Sequence, residues 1–185
     1  MKTSYDRFLT EEGKHLAFLL RHDKQAFDNG LIDSNGWRQC DELCREQGFL
    51  YETLVDIVET NNKQRYEFND IFTKIRARQG HSIPVDVDLN EVEGGLETLF
   101  HGTDVRFIDS IKNEGIRKMT RNHVHLSPNI NIAKNVGKRH GNNIRIIEID
   151  AKKMLEDGIK IFVSRNNVYL TEYVDPKYFN KIIEH

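Results

Sequence analysis

Arg121, His123, His125 and Ser127 alternate with Asn122, Val124 and Leu126 along one short stretch. In an extended chain successive side chains point to opposite faces. Over residues 120–127 an arginine, two histidines and a hydroxyl therefore share a face, while Val124 and Leu126 turn toward a core. Guanidinium, imidazole and hydroxyl groups held together suit an anionic ligand that accepts hydrogen bonds. The polar outer face of a surface strand has the same pattern, so alternation by itself leaves a pocket and a solvated face both open.

Other clusters carry similar chemistry: Leu20-Arg21-His22, Lys63-Gln64-Arg65-Tyr66, the run from Ile75 to Ser82, and Phe100-His101-Gly102-Thr103. Each has a plainer reading. Arg21 and His22 at a helix C-terminus would complement the helix dipole. Arg65 reads equally as a solvated strand residue, and His101-Gly102-Thr103 as a strand ending in a turn. Lys74, Arg76 and Arg78 share one hairpin face, which either tracks phosphates or faces solvent. His123 and His125 with His140 have spacing that could chelate a metal. No carboxylate lies nearby in sequence, and no metal is expected.

These residues need elements to position them. The first half reads as helices and then a hairpin. Thr10 is the expected N-cap of a helix that runs to Arg21-His22, with Glu11 and Glu12 in its first turn and Leu16, Leu19 and Leu20 inward. Asp33-Ser34-Asn35-Gly36 is a turn cluster, and Trp37 an anchor after it. Asp41 is the expected cap of a helix ending at Gln47, and 52–59 reads as another helix. The period then changes to two over 65–69 and 74–78, the two arms of a basic hairpin. Residues 82–97 have the composition of a linker, with Pro84, an acidic run and Gly94-Gly95. The second half is strand-rich: strands are expected at 98–102, 123–126, 144–149, 160–163 and 168–171, with helices at 105–113, 130–136 and 151–155. Short strands and tight turns favour antiparallel or mixed sheets, so the fold class is α+β. The division expected is 1–92 and 93–185.

The totals narrow the function classes. A chain of 185 residues with 38% hydrophobic and 30% charged residues has enough apolar material for a core. No apolar run approaches the roughly 20 residues needed to span a bilayer. Met1 to Asp6 has no apolar stretch behind Lys2, so no signal peptide is expected and the location expected is cytoplasmic. Cys40 and Cys44 would lie one helical turn apart and are expected to be reduced. Residues 1–92 carry 12 Lys+Arg against 17 Asp+Glu, a net of −5, and residues 93–185 carry 15 against 12, a net of +3, which together give the −2 of the chain. A polyanion must then be held by a few placed cations rather than a broad basic field. Neither a Rossmann glycine fingerprint nor a Walker motif is present.

Taken in order, the clusters resemble the NAD-dependent RNA 2′-phosphotransferases of tRNA splicing. The resembling blocks are the Leu20-Arg21-His22 helix end, Asn35-Gly36-Trp37, Lys63 to Tyr66, Ile75 to Ser82, His101-Gly102-Thr103, Arg121 to Ser127, Val136-Gly137-Lys138-Arg139-His140-Gly141, and Leu170-Thr171. They run along nearly the whole chain. One departure is Asp23-Lys24-Gln25, where the family often has a proline soon after Arg-His.

The resemblance implies two lobes. The N-terminal lobe would be a winged-helix-like RNA module, and the C-terminal lobe an ADP-ribosyltransferase-type NAD fold. It implies catalytic roles for Arg21, His22, Arg65 and Arg121, and NAD contacts from His101, Gly102, Thr103 and Ser127. It also implies a reaction in which an internal RNA 2′-phosphate attacks NAD and is then transferred to the ribose, with NAD as co-substrate, no metal and a monomer as the working form. Two other classes stay in view: an ADP-ribosyltransferase acting on nucleic-acid ends or protein, and a non-catalytic RNA-binding module.

Overall fold

The computed structural model describes residues 3–184 and divides into two compact units, one ending at Asp88 and one beginning at Leu89. Every strand pair among the described residues is antiparallel, in keeping with the α+β class.

The first unit opens with α1 (Ser4–Arg21). Its start lies upstream of the expected Thr10. Thr3 accepts a hydrogen bond from the Asp6 backbone at 3.0 Å, and Asp6 accepts one from the Thr3 backbone at 2.7 Å. This reciprocal box satisfies two donors that a helix start otherwise leaves unpaired. Thr10 sits inside the helix and donates to the Asp6 carbonyl at 2.7 Å.

Beyond Arg-His, Asp23 caps a short helix, α2 (Lys24–Asp28), accepting from the Ala26 backbone. This helix occupies the loop where the sequence departs from the resembled family. It is too short to show a period in the sequence. Then come β1 (Arg38–Gln39), α3 (Cys40–Gln47), α4 (Tyr51–Thr60), β2 (Tyr66–Phe68) and β3 (Lys74–Ala77). The hairpin is joined by β1 to make a three-stranded sheet in the order β1-β3-β2. Helix α3 starts at Cys40 after Gln39, so Asp41 lies in its first turn rather than at its cap.

Leu16, Leu19 and Leu20 pack with Leu43, Leu54, Ile57 and Ile75 in one core. Each such side chain contributes roughly 1.5–3 kcal/mol when fully buried. The 82–97 stretch is not a free connector. Ile83 is buried with Ala26 and Ile32, and Val87 is also buried, so the chain stays in the first unit up to Asp88.

The second unit comprises β4 (Asn90–Glu91), β5 (Thr98–Asp104), α5 (Ile108–Glu114), β6 (Ile116–Arg117), β7 (Val124–Leu126), α6 (Ile130–Gly137), β8 (Ile144–Asp150), α7 (Ala151–Glu156), β9 (Phe162–Val163), β10 (Tyr169–Thr171), β11 (Tyr173–Val174) and β12 (Phe179–Glu184). Sheets run β12-β8-β5, β4-β9-β10-β7 and β11-β6. A bridge between Phe100 and Ser127, with both backbone bonds at 2.8–2.9 Å, ties β5 to the end of β7.

Strands β4, β6, β11 and β12 are absent from the sequence reading because three are very short and β12 contains Asn180, Lys181 and Glu184. The helix expected at 105–113 begins as a 3₁₀ turn, Val105–Phe107, capped by Asp104. It stops at Gly115, whose φ of 75° and close approach to Tyr173 leave no room for a side chain.

Candidate active site

Arg21 and His22 end α1 in the first unit, where a basic residue suits the helix dipole. They are also held from outside the helix. The Ser82 backbone donates to the Arg21 carbonyl at 3.0 Å, and the Ser82 hydroxyl meets His22 Nδ1 at 2.9 Å. The same hydroxyl lies 3.5 Å from the Arg21 carbonyl, which can only accept. Two proton arrangements satisfy this geometry: Ser82 donates to that carbonyl and accepts from His22 Nδ1–H, or it donates to Nδ1 itself. In both, Nε2 is the ring nitrogen that Ser82 does not engage.

The Arg21 guanidinium lies 5.8 Å from the centre of the Tyr66 ring, within reach of a cation–π attraction. Burial raises the Tyr66 pKa, and the positive charges of Arg21 and Arg65 both oppose that rise. Arg21, His22 and Arg65 are therefore neighbours within the first unit. Arg65 immediately precedes β2, after Gln64 at a φ of 44°, and its backbone N–H is anchored on the Asn61 side chain. His81 is buried beside them. Burial first, then the charges of Arg21, His22 and Arg76, push its pKa down to about 3. It stays neutral, adding no charge to a cluster already rich in cations.

Arg38, which the sequence reading passed over, supports the helix end. It is 1% exposed. It forms a forked pair with Glu42 at 2.6 and 2.9 Å, and reaches Asp23 and the Leu19 carbonyl, each at 3.1 Å. Burial alone would lower its pKa, but the bonds and charges of Glu42 and Asp23 outweigh that and raise it. Arg76 proves to be neither a phosphate tracker nor a solvent-facing wing residue. It is 3% exposed, bonds to Glu67 at 2.7 Å and Asp88 at 2.9 Å, and lies 4.3 Å over the Trp37 ring. Arg78 shares Glu67, and Lys74 pairs with Asp33.

In the second unit only Val124–Leu126 of the opening stretch is strand, so Arg121 precedes β7. Its backbone closes a turn onto the Lys118 carbonyl at 3.1 Å, and Nη1 donates to His125 Nδ1 at 2.7 Å. A guanidinium has no acceptor, so His125 carries its proton on Nε2. The residue is exposed, but its guanidinium lies against protein groups. Loss of water and the charge of Arg139 both draw its pKa below the usual value. An arginine so placed remains cationic.

His123 lies 3.9 Å from Glu172 and edge-on to Phe162, while His125 supports Arg121, so the two histidines serve different neighbours. Among the described residues no three of His, Cys, Asp and Glu gather as metal ligands.

His101 sits in β5 with Nδ1 3.2 Å from the His125 carbonyl. That carbonyl fixes the proton on Nδ1 and leaves Nε2 as an acceptor, and burial lowers the pKa so the ring is neutral. Gly102 has a packing reason to be glycine. A Cβ there would fall 1.9 Å from the Ala133 carbonyl oxygen of α6. Thr103 and Ser127 are both buried, Thr103 in β5 opposite Arg145 and Ser127 at the bridge to Phe100.

The chain matches, over residues 9–173, the family described as RNA 2′-phosphotransferase, Tpt1 / KptA family. Three similar proteins each carry the name probable RNA 2′-phosphotransferase. That of Fusobacterium nucleatum is 44% identical over 90% of this chain and 94% of its own. That of Flavobacterium johnsoniae is 44% identical over 89% and 92%. That of Acaryochloris marina is 38% identical over 96% and 99%.

Proposed function

The chain belongs to the RNA 2′-phosphotransferase family, and on that premise we propose that it removes an internal 2′-phosphate from RNA by transferring it to NAD. In this reading the first unit is a winged-helix-like RNA lobe and the second an ADP-ribosyltransferase-type NAD lobe, in a monomeric cytoplasmic enzyme.

The first step joins a 2′-phosphate oxygen to C1″ of the nicotinamide ribose and breaks the bond to nicotinamide, which leaves. In the second, the ribose O2″ attacks phosphorus and the RNA O2′ departs with a proton. The products are 2′-OH RNA, nicotinamide and ADP-ribose 1″,2″-cyclic phosphate. A phosphate monoester is already anionic at neutral pH, so the first step needs no strong general base. The stretch from Asn167 to Thr171 contains no glutamate, and the following Glu172 is held by Lys118 at 2.6 Å. That arrangement supports a phosphate nucleophile rather than one that must be deprotonated.

The second step gathers negative charge on a phosphoryl group, and catalysis there rests on positioning and cationic stabilisation. Arg21, Arg65 and Arg121 are assigned to the phosphate, which their planar forks suit. His22, oriented by Ser82, either protonates the leaving O2′ or orients the phosphate. The observation that carries the reading is the grouping of Arg21 and Arg65 around Tyr66, with His22 next to Arg21 and a neutral His81 beside them. On the NAD side, the acceptor Nε2 of His101 suits a ribose hydroxyl. Gly102, Thr103 and Ser127 complete the proposed seat for NAD, and no metal takes part.

The test is a short RNA bearing one internal 2′-phosphate, incubated with and without NAD. The expected result is NAD-dependent release of nicotinamide and the cyclic phosphate. A stable ADP-ribosylated adduct without cyclic phosphate would assign the chain to another ADP-ribosyl transfer, and tight RNA binding without turnover to a binding module.

A further inference from the structure

Arg117, Lys118 and Met119 lie just ahead of Arg121 and, with Glu172 and Tyr173, line an open depression of about 460 Å³ in the second unit. That volume is within the usual range of ligand sites, roughly 300–1,000 Å³. The turn that closes Arg121 onto the Lys118 carbonyl makes the depression and the Arg121 guanidinium parts of one loop.

Met119 is 83% exposed, more than any other large apolar residue among those described. It is held there at a φ of 55°. A bulky side chain in the left-handed region is costly, and such strain gathers at binding and catalytic positions. Nothing in the packing of the second unit uses this methionine, because its side chain points to solvent.

The cations of the depression are paired with solvent-exposed carboxylates. Lys118 meets Glu172 at 2.6 Å and Arg117 meets Glu114 at 3.6 Å, with all four side chains at least 43% exposed. Exposed pairs of this kind contribute little. A phosphate, which has more oxygens and a larger charge, can draw either cation away from its carboxylate. Tyr173 is fixed by donating to the Glu114 carbonyl at 2.9 Å, and its partly exposed ring offers a rigid wall.

We propose that this depression binds the RNA nucleotide next to the one bearing the 2′-phosphate, with Met119 and Tyr173 against its base and Lys118 on its backbone phosphate. The proposal rests on the reading of Arg121 as a ligand of the 2′-phosphate. It adds a site that reads chain length beyond the reacting nucleotide. Base–side-chain contact and a single phosphate contact are both tolerant of sequence, so the site selects polynucleotide over mononucleotide rather than one sequence over another.

Lys118→Gln and Met119→Ala test it with two substrates, a six-nucleotide RNA carrying one internal 2′-phosphate and a nucleoside 2′-phosphate with no neighbour. For the hexanucleotide, KM is expected to rise about fivefold in Met119→Ala, the lower end of what one base contact is worth, and to rise in Lys118→Gln as one phosphate contact is lost. For the mononucleotide both variants should match wild type. Lys118→Gln should also flatten the dependence of log affinity on log salt by about 0.7, the value of one single-strand phosphate contact.

Fluorescence anisotropy with the labelled hexanucleotide separates this inference from the reaction on which it rests. If wild type binds the RNA but does not turn over, and the variants bind it less well, the site stands and the proposed reaction falls. Equal KM changes on both substrates, or no change on either together with an unaltered salt slope, would overturn the site.

Discussion

Ser82→Ala should slow the reaction by an amount that the structure sets. The hydroxyl makes one well-formed contact, to His22 Nδ1 at 2.9 Å, and one at the limit of hydrogen bonding, to the Arg21 carbonyl at 3.5 Å. The backbone bond from Ser82 to that carbonyl, at 3.0 Å, survives the substitution, so the loop keeps its place. Ser82 is itself exposed, so no cavity forms. What disappears is one hydrogen bond, worth about 0.5–1.5 kcal/mol. If it acts by keeping His22 in its reactive orientation, kcat should fall about 2- to 13-fold while KM for NAD is unchanged. His22→Ala should lose more, roughly 10²–10⁴ in rate if His22 acts as the general acid. The decisive measurement is the double variant. Ser82 is assigned a role only through His22, so Ser82→Ala/His22→Ala should be no slower than His22→Ala alone, and Ser82→Thr should recover most of the rate. Additive losses in single-turnover assays would refute the reasoning, and so would a Ser82→Ala enzyme with the wild-type rate.

Arg121→Ala should stall the second step, so that ADP-ribosylated RNA accumulates and is visible by gel or mass spectrometry; loss of NAD binding alone would mean that Arg121 serves the co-substrate. Arg38→Met leaves Glu42 buried without its forked partner and should cost the first unit about 3–5 kcal/mol. Urea unfolding followed through the chain's single tryptophan, Trp37, would show this, and adding Glu42→Leu should restore much of the loss. Gly102→Ala places a Cβ 1.9 Å from a helix carbonyl and should destabilise the second unit by about 3 kcal/mol or more, whereas Gly94→Ala, with nothing within 4 Å, should change thermal stability by less than about 0.5 kcal/mol. His81 has a folded pKa of about 3, below its ordinary 6.5, so the unfolded chain binds the extra proton first as pH falls. Its contribution to stability is complete above pH 6.5 and is lost as pH drops toward 3, at up to about 1.4 kcal/mol per pH unit. His81→Gln should show a flatter acid limb in the same Trp37 assay.

What the sequence by itself determined was local and periodic. The helix carrying Leu16, Leu19 and Leu20, the Asp33–Gly36 turn and the Val124-His125-Leu126 alternation all announce themselves within a few residues, because a helix or strand buries one face at a fixed spacing. Arg21, His22, Arg65 and Arg121 were singled out through ordered resemblance rather than spacing, since a surface arginine and a site arginine look alike in a chain. The relatives then show the family independently.

Tertiary structure decided which charges are available. Arg76 and Arg78 read as a basic wing until Glu67, Asp88 and Trp37 are seen around them. Ser82 lies 60 residues from His22, and Arg38 lies 19 from the carbonyl it holds. No local period encodes such pairs. The strand face that opened the reading divides in the same way, since a 2.7 Å contact gives His125 to Arg121 while His123 turns toward Glu172 and Phe162. Sequence spacing puts side chains on a common face, but only the packing around that face determines which of them pair with each other.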